Sequence, residues 1–69
     1  MDAVEKELSG RKKNIKREVE LLFKANMKFT DWDVPEADDT KAAHILLGIM
    51  REQLDEIEQD IKEGKYENY

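Results

Sequence analysis

The chain reads as an all-α protein, an antiparallel hairpin of two amphipathic helices, and three observations predict this. Apolar residues recur every three to four positions in two separate segments, the spacing of one helix face. Between those segments lies the only proline, Pro35, in a run of turn-forming residues. Finally, 42% of the 69 residues are charged and only three are glycine, a composition that suits solvated helices better than a sandwich or barrel. An apolar content of 39% leaves disorder to be weighed, and the regular apolar spacing argues against it.

Helix 1 is expected over about residues 2–28, where Val4, Leu8, Ile15, Val19 and Leu22 mark the apolar stripe. Ser9-Gly10 is its weak point: Gly costs about 1 kcal/mol in a helix interior, and Ser9 could cap a helix beginning there. The connection is expected in Phe29–Asp39, where Pro35 biases Val34 away from helix. Asp33, Asp38, Asp39 and Thr40 are candidate N-caps for the next element, their acidic members favoured by the helix dipole. Helix 2 is expected over about residues 36–63, through Ala43, Leu47, Met50, Leu54, Ile57 and Ile61, and should stop at Gly64 in a left-handed conformation. The domain is thus 1–64, and 65–69 is read as a frayed tail.

Heptad assignment gives an antiparallel seam. It sets Leu8 against Ile61, Lys12 against Ile57, Ile15 against Leu54, Val19 against Met50, Leu22 against Leu47 and Asn26 against Ala43. The same register brings Arg11 near Asp60 and, less favourably, Lys16 near Arg51. Charge is divided unevenly. Residues 1–30 carry 8 basic and 5 acidic groups, residues 31–69 carry 4 and 12, so the halves should attract.

The seam leaves apolar residues over, and they cluster at the loop end: Phe23, Met27, Phe29, Trp32 and Val34, then Ala42, Ile45, Leu46 and Ile49. Ala42, Ile45 and Ile49 form a second stripe that gives way to Glu52 and Glu56. Either Phe29, Trp32 and Val34 fold back over Ile45 and Ile49 as an intrachain cap, or the surplus is an interface. The interface is the preferred expectation, formed by Phe23, Phe29, Trp32, Ala42, Ile45, Leu46 and Ile49, with Trp32 as its hot spot. Its simplest form is a homodimer closing a four-helix bundle. Gly48, beside the stripe, fits either account by allowing a close backbone approach.

Chemistry is sparse. No cysteine is present, so there is no disulfide or thiolate metal site, and His44 is the one histidine, without an imidazole partner or a metal-ligand spacing. The carboxylates Glu52, Asp55, Glu56, Glu58, Asp60 and Glu63 need a pocket before they could act as acid and base, and a thin hairpin offers little. Phosphate-loop, catalytic-triad and EF-hand spacings are missing; the acidic loop lacks the glycine and terminal Glu of a calcium site. The expectation is no catalytic residue, no metal and no cofactor. Arg11, Lys12, Lys13, Lys16 and Arg17 are the one basic run, a possible nucleic-acid contact that the net charge of −5 opposes. Conversely, the acidic half could mimic nucleic acid and inhibit a protein that binds it. Without an apolar run of membrane-spanning length or the pattern of a signal peptide, the chain is expected to be cytoplasmic and away from the membrane. The function these readings favour is a non-enzymatic interaction or regulatory protein that dimerises or docks through its loop end.

Overall fold

A computed structural model describes residues 2–36 and 38–68; Met1, Ala37 and Tyr69, the last of these in the expected tail, lie outside the described residues. Two helices touch each other in a hairpin, α1 over Ala3–Asp33 and α2 over Asp39–Lys62, with no strand among the described residues.

Asp2 starts α1 by accepting the backbone N–H of Glu5 at 2.8 Å, which satisfies one of the four amides that a helix start leaves without a partner. The helix runs unbroken through Ser9-Gly10, so Ser9 caps nothing. It also continues five residues past the expected end at 28. Phe29, Thr30, Asp31, Trp32 and Asp33 are helical, and the stop comes at Val34, immediately before Pro35, with φ −131° and ψ 79°. The pyrrolidine ring excludes the helical conformation from the residue before it, and this outweighs the turn preferences of Thr30, Asp31 and Asp33. Asn26 and Thr30 are accommodated by bonding back onto their own helix, Asn26 Nδ2 to the Leu22 carbonyl at 2.9 Å and Thr30 Oγ1 to the Asn26 carbonyl at 3.1 Å.

The connection is therefore short, 34–38, and Asp38 emerges as the cap of α2. Its carboxylate accepts from the amides of Thr40 at 3.0 Å and Lys41 at 3.2 Å, so α2 begins at Asp39, three residues later than expected. Its other end follows the sequence reading: Gly64 has φ +80°, and the amides of Gly64 and Lys65 return to the carbonyls of Ile61 and Asp60. Beyond it the chain makes turns, with Lys65 Nζ 2.8 Å from Asp60 and 3.8 Å from Glu63.

No described residue is buried. The half-buried apolar positions are Phe23 and Met27 on α1 and Ala42, Ala43, Leu46, Met50 and Ile57 on α2. Of the expected seam positions, Asn26, Ala43, Met50 and Ile57 are half-buried, whereas Leu8, Lys12, Ile15, Val19, Leu22, Leu47, Leu54 and Ile61 are exposed.

Glu5, Leu8, Ser9, Lys12 and Ile15 line a shallow depression of about 420 Å³ to which α2 contributes nothing. The molecule measures 49 × 27 × 17 Å, with a radius of gyration of 16.0 Å, against about 11 Å for a compact domain of this length.

Candidate functional site

The loop end carries a groove of about 620 Å³. One wall is the last two turns of α1, with Asn26, Phe29, Thr30 and Asp33; Val34 and Asp38 close the end; Lys41, Ala42, Ile45, Leu46 and Ile49 of α2 form the other wall. Both walls are helical because Pro35 and Asp38 set the two helix ends, and the i, i+3, i+7 spacing of Ala42, Ile45 and Ile49 puts all three on one side of α2.

Five of the seven residues expected at an interface meet here: Phe29, Ala42, Ile45, Leu46 and Ile49. Phe29 and Ile49 remain 67% and 58% exposed. Phe23 lies outside the groove as a half-buried residue of α1, and Trp32, also outside it, is 84% exposed one turn beyond Phe29. Of the three residues expected as an intrachain cap, Phe29 and Val34 line the groove with Ile45 and Ile49 and Trp32 does not, and all five remain exposed. Phe29 and Trp32 belong to α1 and not to the loop. Asn26, Thr30, Asp33, Asp38 and Lys41 are groove residues not expected as such. The spacing of Asn26 and Thr30 with Phe29 and Asp33 would have exposed them had α1 been carried to Pro35.

Polar groups rim the groove unevenly. Asp33 and Asp38 stand against one base, Lys41, and Asp31 and Asp39 lie close by. The Asp31 carboxyl is held above its ordinary value of 3.8, chiefly by sharing a hydrogen bond with Asp39, then by partial desolvation and by the neighbouring negative charge. No basic residue occupies the last turn of α1, where the helix dipole disfavours Asp31 and Asp33. Gly48 serves no close approach within the chain, since a Cβ built there would meet nothing within 4 Å.

The basic run is solvent-facing. Arg11, Lys12, Lys13, Lys16 and Arg17 are exposed, and among the described residues no ion pair links α1 with α2. Arg17 donates to Asn14 at 3.0 Å. The expected approach of Arg11 to Asp60 is replaced by the Lys65–Asp60 pair at 2.8 Å, whose hydrogen bond, and then charge, raise the Lys65 pKa. The attraction between the two halves of the sequence is therefore not realised as contact inside one chain.

His44 is exposed, and among the described residues no three His, Cys, Asp or Glu side chains gather as metal ligands would. Neither helix, over the described residues, is long and apolar enough to cross a membrane. No protein-family model, curated protein or solved structure matches the chain.

Proposed function

We propose that this chain is a non-enzymatic interaction protein whose working unit is a homodimer, closed into a four-helix bundle through the groove at the loop end. One observation carries the reading. The chain exposes 6595 Å², whereas a folded monomer of 8.1 kDa exposes about 4,500 Å² by the scaling of area with mass. The surplus of roughly 2,100 Å² per chain is the scale that stable homodimers bury. Its apolar part, from Phe29 across Ile45 to Ile49, is continuous along the groove. A second copy is the occupant that supplies two further helices with the same unmatched apolar faces.

Sedimentation equilibrium should give twice the chain mass, and Ile49→Asp should return the protein to monomer with its helicity retained in far-UV circular dichroism. A wild type that stays monomeric at the highest accessible concentration would remove the proposal.

A second reading draws on the exposed basic run. Arg11, Lys12, Lys13, Lys16 and Arg17, exposed and without an ion-pair partner among the described residues, could contact phosphates. Net charge opposes it. Retardation of a DNA or RNA duplex at low salt, lost in Lys12→Ala/Lys13→Ala, would support this reading, and no retardation would dismiss it.

A further inference from the structure

From the distribution of charge around the groove we infer that the two copies pack with their loops at opposite ends, the amino-terminal half of each α1 lying along the acidic loop end of the other copy. This rests on the homodimer proposed above and specifies its geometry.

Two surfaces of the chain are incomplete, and they complement each other. The first is the loop end, apolar within the groove and rimmed by acid: residues 31–39 contain Asp31, Asp33, Glu36, Asp38 and Asp39, with Lys41 the next basic residue. The second is the amino-terminal half of α1, where Leu8 and Ile15 are exposed beside a depression that α2 does not cover. Arg11, Lys12 and Lys16 flank this stripe, Lys13 and Arg17 lie on the far side of the same turns, and no acidic residue intervenes between Glu7 and Glu18. The first surface offers an apolar trough with a negative rim; the second, an exposed apolar pair, Leu8 and Ile15, on a basic segment. Within one chain they lie near opposite ends of a 31-residue helix, so they can meet only between chains.

Two-fold symmetry makes the match twice over, because each copy presents both surfaces. With the loops at the same end, the acidic rims of both copies would face each other. Asp31 and Asp39 already crowd each other within one copy, and juxtaposing like charges at an interface is strongly unfavourable. With the loops at opposite ends, each rim meets the other copy's basic run and the exposed Leu8–Ile15 stripe gains an apolar neighbour. α1, at about 46 Å, is also some 10 Å longer than α2, so its amino-terminal turns extend past the cover its own α2 can give.

The chain has no cysteine, which makes a single spin label clean. In Glu36→Cys, labelled and measured as the dimer, opposite-end packing should give a separation comparable with the 49 Å long dimension. Same-end packing should give about 20 Å, two interaxial spacings. A charge-swap experiment provides a second reading. Lys12→Glu/Lys16→Glu and Asp31→Lys/Asp33→Lys should each weaken self-association by roughly ten-fold, and mixing the two variants should restore a heterodimer of near wild-type affinity. A long separation together with rescue upholds the arrangement. A short separation, or swaps that show no rescue, would overturn it while leaving the homodimer standing; a monomeric wild type would remove the homodimer and this geometry with it.

Discussion

The contribution of Ile49 to self-association can be worked out before it is measured. Its side chain sits on the α2 wall of the groove and is 58% exposed in the single chain, so over half of its burial remains to be gained from a second copy. Truncating a fully buried Ile to Ala costs about 2–5 kcal/mol. Scaling the lower part of that range by the exposed fraction gives about 1–2 kcal/mol per copy for Ile49→Ala. A two-fold interface removes the group twice, so the dimer should lose about 2–4 kcal/mol, a rise in Kd of roughly 30- to 700-fold. Alanine is the better helix former, so α2 itself should not suffer. The assay is sedimentation velocity over a concentration series, accompanied by far-UV circular dichroism. His44→Ala, an exposed residue that does not line the groove, serves as the control and should leave Kd within a factor of about two, as expected of a surface substitution. An Ile49→Ala Kd equal to wild type, at equal helicity, would show that the groove is not the contact surface.

Two further outcomes follow from the loop. Because the Asp31 pKa is raised in the folded chain by Asp39, its ionisation opposes the hairpin; the penalty is complete above the raised folded value and vanishes below the ordinary value of 3.8. Asp31→Asn should therefore raise Tm at pH 7, and its advantage over wild type should shrink as pH falls toward 3.8, with a pH-independent difference in melting curves counting against the Asp31–Asp39 coupling. Asp38→Ala should lose the cap on the amides of Thr40 and Lys41, costing about 1 kcal/mol. Asp38→Asn should recover most of that stability in chemical denaturation, and an Ala variant as stable as wild type would mean that the cap contributes nothing.

Local rules carried the sequence reading a long way. The 3.6-residue apolar spacing specified two helices, Gly64 marked the end of the second with the left-handed φ it adopts, and Asp38 was among the four candidate caps. Where the reading went astray, two local rules competed. Thr30, Asp31 and Asp33 favour turns, but the restriction that Pro35 places on Val34 fixed the end of α1 at Asp33. Once those five residues became helix, Phe29 and Trp32 took their places on α1 instead of in the loop, and only Phe29 of the two lines the groove.

What the sequence determined by itself was the two helices, the glycine stop of α2 and a short set of candidate caps, since those depend on neighbours within four positions along the chain. Only the tertiary structure decided which apolar residues α1 and α2 cover for each other. Covering depends on where the five-residue connection lets the helices meet and on how far they stay together beyond it. The outcome leaves Leu8 and Ile15 exposed at one end and Phe29, Ile45 and Ile49 exposed at the other. Two helices have too little facing area to bury both apolar sides of α2, and the remainder is available to another chain.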